Sequence, residues 1–165
     1  WMKDRLDKLN VPYMSLVGNH DILGQGKDLY QNIFGSSNFS FIYNRTHFVC
    51  LNTNALEFDY SVPVPDFSFI KLQIADSARI DQTIVAMHVP PGDIEFNNNV
   101  ADVFQYYLRK NKNLMFCTHA HTHYLMKRDY FNDGILYYGA DNIEDRNYLV
   151  FTVYKNSYKY EVVYF

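Results

Sequence analysis

Histidines that follow predicted strands constrain the fold of this chain more than any other feature of its sequence. His20, His88 and His119 lie far apart, and each comes shortly after an apolar or β-branched run typical of a buried strand. The loops at the carboxyl ends of strands in an open α/β sheet meet in one crevice. We therefore expect the three histidines to converge on one ion or one substrate.

Length and charge narrow the class of protein. With 165 residues, of which 48% are hydrophobic, the chain can bury one core, and we predict a single domain over residues 1–165. The net charge of −3, without a basic stripe, argues against binding to a nucleic-acid backbone. No apolar run approaches the roughly 20 residues that cross a bilayer, so we expect a soluble protein, cytoplasmic or periplasmic. Cys50 and Cys117 lie in apolar runs and are predicted to be buried free thiols.

Hydrophobic periodicity predicts an α/β fold. Helices and strands alternate as far as residue 118, and a series of antiparallel strands follows. We expect mixed sheets, stacked as a sandwich and flanked by helices, with an antiparallel meander at the carboxyl end. Predicted helices cover residues 2–10, 27–34, 70–78 and 100–110. Predicted strands cover residues 13–17, 39–43, 46–51, 83–87, 114–117, 125–130, 135–139, 148–154 and 159–165.

The Gly-Asn-His-Asp sequence at residues 18–21 combines three chemical properties in one turn. Its glycine lets the backbone turn sharply, the Asn19 amide oxygen can bind a metal, and the His20 imidazole can donate a proton. A purely structural alternative is a polar turn in which Asp21 caps the next helix. The motif alone favours neither reading, but the histidines farther along the chain favour the functional one.

The remaining histidine motifs have alternatives of their own. His88 precedes a Pro-Pro-Gly sequence that makes a stiff exit from its strand, as a ligand position needs, although a lone histidine is more often a satisfied core residue. In an extended segment, the i, i+2 spacing of His119 and His121 places both rings on one side. His123 continues the row and is a further candidate ligand. An exposed polar strand or an adventitious metal patch is the alternative, chiefly for His123.

In the order and spacing of these motifs the chain resembles the calcineurin-like metallophosphoesterases. Residues 18–21 match the family's G-N-H-D/E motif, Met87 and His88 match its lone strand-end histidine, and residues 119–121 match its G-H-x-H motif, with Thr118 in place of the glycine. The resemblance spans nearly the whole chain. It implies an αββα sandwich with two divalent ions, manganese, iron or zinc, that activate a bridging hydroxide against a phosphomonoester or phosphodiester.

The resemblance also implies a role for each motif residue. Asn19, His88 and His119 correspond to ligands of one ion, and His121 corresponds to a ligand of the other. His20 corresponds to the residue that binds phosphate and protonates the leaving group, with Asp21 orienting it. His121 with His123 would be a second register of the last motif. The first register is preferred because it leaves the usual short gap after the strand.

The motifs that open the family's pattern, D-x-H and G-D-x-x-D/N, do not occur before Gly18, and the only Gly-Asp pair, at residues 92–93, follows His88. From this, and from a helical pattern that already includes Trp1, we expect an N-terminally truncated domain. It would carry at most a partial metal site, have little activity, and expose an apolar sheet edge through which it could self-associate. The alternatives are a non-catalytic binding or assembly module with a residual half-site, and a single transition-metal site without phosphoester chemistry.

Overall fold

A six-stranded mixed sheet organises the computed structural model, which describes residues 2–55, 63–74 and 79–165. Its strands are β1 (Phe39–Tyr43), β2 (Thr46–Leu51), β3 (Gln82–Met87), β4 (Leu114–His119), β5 (Met126–Arg128) and β6 (Tyr137–Gly139). In space they lie in the order β1-β2-β3-β4-β6-β5. Strands β2, β3, β4 and β6 are parallel, while the outer strands β1 and β5 are antiparallel to their neighbours. Four strands therefore end at the same edge of the sheet.

Four helices and a second sheet complete the architecture of the described residues. The helices are α1 (Met2–Leu6), α2 (Gly26–Phe34), α3 (Phe67–Gln73) and α4 (Ala101–Leu108). Short 3-10 turns lie at His20–Ile22, Asn98–Val100 and Ile143–Asp145. Strands β7 (Asn147–Tyr154) and β8 (Ser157–Tyr164) pair antiparallel as a separate two-stranded sheet. None of the helices in the described ranges is long and apolar enough to cross a membrane.

The alternation of side chains along the central strands supplies two cores. On one face, Val85 and Met87 of β3 pack with Ile70 of α3 and with Phe104 and Leu108 of α4. The opposite face carries a second cluster, in which Ile84, Phe116 and Tyr138 contact Phe151 and Tyr158 of the second sheet. The layers therefore run helix, sheet, sheet. This arrangement, with its antiparallel carboxyl-terminal pairs, confirms the predicted α/β class with mixed sheets.

The hairpin between β1 and β2 forms as predicted, although its turn lacks glycine. Asn44 and Arg45 both adopt positive φ angles, 45° and 61°, which is the conformation that matches the twist of a two-residue hairpin turn. Arg45 also donates two hydrogen bonds, of 2.9 and 2.7 Å, to the carboxylate of Asp81. Cys50 and Cys117 are buried free thiols, which confirms that prediction.

The predicted strand at residues 13–17 is wrong. The chain there forms no strand ladder, and two of its carbonyl groups accept hydrogen bonds from side chains. The Tyr30 hydroxyl donates to the Ser15 carbonyl at 2.8 Å, and the Asn54 amide donates to the Val17 carbonyl at 3.1 Å. The predicted first helix, at 2–10, is also shorter and ends at Leu6. Trp1 and residues 75–78 of the predicted third helix lie outside the described residues.

Candidate functional site

The candidate site lies at the edge where the four parallel strands end. His88 follows β3 directly, His119 is the last residue of β4, and the Ala120 amide donates to the His88 carbonyl at 3.1 Å. The two strand ends are thereby fixed against each other. Topology therefore places the ends of two histidine-bearing strands side by side, while convergence of the three strand-end histidines on one ion stays a prediction.

Asn19 and His88 meet across 69 residues of sequence. The Asn19 side chain is 5% exposed, and its Oδ1 lies 3.0 Å from Nε2 of His88. Two ligand atoms that each lie about 2.1 Å from one ion, at roughly a right angle, are about 3 Å apart. The pair therefore fits two positions around a single metal ion, one oxygen and one nitrogen.

The environment of His88 keeps its ring neutral. Burial, and to a smaller extent the neighbouring His121, lowers its pKa to about 4, while Asp21 acts in the opposite direction. A neutral imidazole is the form that binds metals. At neutral pH the His88 ring is therefore already in the neutral form that can coordinate an ion.

His119 offers a second nitrogen. Its Nδ1 lies 2.9 Å from the Ala120 carbonyl oxygen, which can only accept, so Nδ1 carries the proton and Nε2 carries the lone pair. Nε2 is buried and has no hydrogen-bond partner among the described residues. A buried acceptor without a partner is costly, and a bound ion would satisfy it. Burial also lowers the pKa of His119.

Gly139, at the end of β6, makes the room that His119 occupies. A Cβ atom at this position would lie 2.8 Å from Cε1 of His119 and 2.9 Å from Cβ of Met126. Real Cβ atoms do not approach carbon this closely. The close approach of β6 to the imidazole therefore depends on the missing side chain.

His121 reaches the site by a turn and not by an extended segment. β4 ends at His119, His121 has a φ of 66°, and the Thr122 amide donates to the Ala120 carbonyl at 2.7 Å. The expectation that the i, i+2 spacing would align two rings along one strand is therefore wrong. The turn nevertheless brings the His121 ring to 5.2 Å from the His88 ring, centroid to centroid.

Asp93 is a site residue that the sequence reasoning missed. One of its carboxylate oxygens, Oδ1, lies 3.3 Å from Nε2 of His121 and accepts a hydrogen bond of 2.9 Å from the Glu95 amide. The Asp93 amide in turn donates to the Pro90 carbonyl at 3.3 Å. The sequence offered only a Gly-Asp pair after the strand-end histidine, and no local pattern indicates a contact between Asp93 and His121.

The other predicted residues sit at the margin of the cluster. His20 is exposed in the 3-10 turn, and the Asp21 carboxylate accepts a hydrogen bond of 2.8 Å from the Gly18 amide. The predicted contact between Asp21 and His20 stays a prediction. His123 is exposed, with a φ of 54°. The structure thus brings Asn19 and His121 against His88 and places the backbone after His119 beside that of His88.

Acidic, histidine and cysteine side chains alone do not form a complete metal site in the described part of the chain. Within residues 2–55, 63–74 and 79–165, no three such side chains are grouped closely enough to hold an ion. Asn19 is outside that set of residue types, and its amide oxygen is the atom that pairs with His88. The fit is therefore to part of a coordination shell.

Comparison with known families agrees with the fold. The family model described as calcineurin-like phosphoesterase matches residues 1–125, a range that includes all four clustered residues. The chain belongs to the calcineurin-like phosphoesterase family. No curated protein matches the chain.

Proposed function

We propose that this chain hydrolyses phosphoesters, either monoesters or diesters, at a site where divalent ions are held by Asn19, His88 and His119 on one side and by His121 on the other. The observation that carries the proposal is the 3.0 Å approach of Asn19 Oδ1 to His88 Nε2. Two side chains of the types that bind manganese, iron or zinc meet there, from loops that only the fold brings together.

Each ligand residue has a chemical reason to serve. His88 and His119 are buried enough to stay neutral near pH 7, and His119 keeps an unprotonated nitrogen. A divalent ion, when bound, polarises a phosphoryl oxygen and makes a water molecule acidic. His119 with His121 is the preferred register, because His119 is buried with an unpartnered nitrogen whereas His123 is exposed.

His20 supplies the proton in this proposal. It is exposed in a turn beside Asn19, so it can reach a leaving oxygen without disturbing the buried ligands. Asp21 is anchored by the Gly18 amide and places a negative charge next to the histidine. Within this proposal the carboxylate orients His20, which transfers its proton to the alcohol that departs.

The 165 residues by themselves supply mainly neutral ligands. Asn19, His88, His119 and His121 contribute no carboxylate, and the D-x-H and G-D-x-x-D/N motifs do not occur before Gly18. Since paired ions require negative charge between them to offset their mutual repulsion, we infer that this ligand set holds the first ion weakly and the second ion more weakly. Turnover is accordingly expected to be slow.

The test measures metal binding and hydrolysis together. Manganese or zinc is titrated into the purified chain by calorimetry, and hydrolysis of p-nitrophenyl phosphate and of bis-p-nitrophenyl phosphate is followed with the metal present. His88→Ala is expected to weaken metal binding by more than tenfold. The matched control is His47→Ala, which removes another buried histidine, one that lies within β2.

The outcomes separate the alternatives. Equal loss of metal affinity in both variants would remove His88 from the ligand set. Binding of one ion without hydrolysis of either ester would favour the single transition-metal site. Absence of both metal binding and hydrolysis would favour the non-catalytic binding or assembly module. Self-association in that role would use the outer strand β1, where Ile42 and Tyr43 are exposed. A chain that stays monomeric at all concentrations in light scattering would contradict that assembly role.

A further inference from the structure

Three buried polar residues follow β2 and lie beside the candidate site. We call residues 52–54, Asn-Thr-Asn, the bridging segment. Their exposures are 1% for Asn52, 0% for Thr53 and 0% for Asn54. Burial of three polar side chains in succession is unfavourable unless each has hydrogen-bond partners. Thr53 and Asn54 have partners in the loops that carry the candidate ligands, whereas Asn52 is hydrogen-bonded to Asn38 and Asn54.

Asn54 holds the first ligand loop. Its Nδ2 donates to the Val17 carbonyl at 3.1 Å and to Oδ1 of Asn52 at 2.8 Å. Val17 lies two residues before Asn19, in the stretch that forms no strand ladder. The side chain of Asn54 thus supplies this loop with a hydrogen bond of the kind that a neighbouring strand supplies in a sheet.

Thr53 holds the second ligand loop. Its Oγ1 accepts a hydrogen bond of 3.1 Å from the Val89 amide, one residue after His88. The His88 carbonyl is bound on the other side by the Ala120 amide at 3.1 Å. The backbone around His88 is therefore fixed on both sides, once by the neighbouring strand end and once by the bridging segment.

Both ends of the bridging segment are themselves anchored. The Asn52 amide donates to Oδ1 of Asn38 at 2.8 Å, and the Ala55 amide donates to the Glu95 carbonyl at 2.8 Å. The segment is thus bound on one side to the residue before β1 and on the other to the loop that holds Asp93. An anchored element can transmit position from one loop to the other, which a flexible one cannot.

We propose that Thr53 and Asn54 are positioning residues that hold the Asn19 loop and the His88 loop at a fixed separation, so that Asn19 Oδ1 and His88 Nε2 face one ion. This inference rests on the proposed function of the two ligands. Residues that orient metal ligands through hydrogen bonds change metal affinity by about 10- to 100-fold when they are replaced. If Thr53 served packing alone, removal of its hydroxyl group would change metal affinity less.

The test compares two threonines of the same burial. Thr53→Val removes the acceptor for the Val89 amide and keeps the shape of the side chain. Thr83→Val is the matched control, since Thr83 is also 0% exposed and its hydroxyl makes a bond of 2.9 Å to the Lys112 carbonyl, at the opposite end of the parallel strands. Thr53→Ser retains the hydroxyl and is the rescue variant.

Manganese affinity is the first measurement. We expect Thr53→Val to weaken binding about tenfold or more, Thr83→Val to change it less than twofold, and Thr53→Ser to restore most of the loss, while urea midpoints fall to a similar extent in both valine variants. Equal metal affinities in the two valine variants would overturn the inference. A wild-type chain that binds no metal contradicts the proposed function instead, and the second measurement then decides.

The second measurement needs no metal. In nuclear magnetic resonance spectra, the Asn19 side-chain amide and the His88 ring are expected to show mutual proximity in the wild type and in Thr83→Val, and to lose it in Thr53→Val. Proximity that is unchanged in Thr53→Val overturns the positioning role whether or not metal binds. If Thr53→Val does not fold, Thr53→Ala removes the same acceptor from a less crowded side chain and is measured in the same way.

Discussion

Two buried histidines in this sheet share their local properties and differ in their neighbours. His47 in β2 and His119 at the end of β4 are 5% and 3% exposed, and burial lowers the pKa of both. Each keeps one ring nitrogen without a hydrogen-bond partner among the described residues. The charged or titratable side chains that shift the pKa of His119 are His121 and Asp93, whereas the side chain that acts on His47 is Gln73.

The difference teaches that burial and an unpartnered nitrogen do not make a site. Both properties follow from placing an imidazole in a packed sheet, and any strand can do so. What distinguishes His119 is its place at the carboxyl end of a parallel strand, next to the end of β3 and the turn that carries His121. Convergence of strand ends at that edge is a consequence of topology.

The largest effect is expected at Gly139, where the surroundings of His119 are tightest. In Gly139→Ala the new methyl group meets His119 Cε1 at 2.8 Å and Met126 Cβ at 2.9 Å, so either the imidazole or β5 must move. We expect a loss of about 1–3 kcal/mol in the free energy of unfolding, typical of overpacking, with weaker manganese binding. Urea denaturation and calorimetry check both.

Gly18→Ala is a milder variant of the same kind as Gly139→Ala. A Cβ at position 18 would lie 3.2 Å from Cε1 of His88 and 3.3 Å from Oδ2 of Asp21, contacts that small shifts can relieve. Its loss of stability is therefore expected to be smaller than that of Gly139→Ala. The reverse order would mean that β5 and β6 yield easily and that His119 is not held by close packing.

The parts of the fold that sequence predicted well are those that short-range patterns determine. The hairpin at Asn44 and Arg45 and the strand before His88 depend on residues adjacent in sequence, and both form. The predicted strand at 13–17 had the right composition and failed because a strand also needs a partner, which here is replaced by the side chains of Tyr30 and Asn54.

The candidate site likewise has features that local sequence patterns predict and features that depend on distant residues. Strand-end histidines could be recognised from local patterns, but the pairing of Asn19 with His88 depends on the strand order, which no local pattern encodes. Asp93 contacts His121, and the bridging segment is hydrogen-bonded to Val17 and Val89, all far away in sequence, so their roles emerge only from the fold. The turn at His121 was missed because its positive φ is unusual for a residue other than glycine.

Replacing each buried histidine by leucine, in two separate variants, tests the comparison between His47 and His119 directly. In His119→Leu and in His47→Leu an unpartnered buried nitrogen is removed, which offsets the lost ring contacts, so we expect each to change the free energy of unfolding by less than about 1.5 kcal/mol. Only His119→Leu is expected to weaken metal binding. Equal metal affinities in the two variants would make the two histidines equivalent and would remove His119 from the proposed ligand set.

The pH dependence of stability isolates His47 without metal. Its pKa in the folded state lies below the ordinary value of 6.5 because burial disfavours the charged ring. The unfolded chain therefore binds more protons as pH falls below 6.5, so this stabilising contribution is present above pH 6.5 and is lost toward the folded-state pKa. One such group contributes at most about 1.4 kcal/mol per pH unit.

His47→Leu is accordingly expected to flatten the fall in stability between pH 6.5 and pH 5, with a chelator present throughout. Urea unfolding at half-unit pH intervals measures the slope for variant and wild type. An unchanged slope would show that the folded chain accommodates a charged His47. In that case the buried ring would be more open to water than its 5% exposure suggests.

Asp93 provides the smallest expected effect and the finest test of convergence. Asp93→Asn keeps an oxygen that can accept from the Glu95 amide and from Nε2 of His121, so the turn and the ring orientation persist, while the negative charge 3.3 Å from His121 is lost. We expect manganese affinity to fall only a few-fold, because the geometry survives, and Asp93→Ala to weaken it more, because both acceptor bonds disappear. If asparagine and alanine weaken binding equally, the charge of Asp93 matters and its hydrogen bonds do not. If neither variant has any effect, the contact with His121 is incidental, and the cluster that distinguishes His119 from His47 is reduced to the two neighbouring histidines and Asn19.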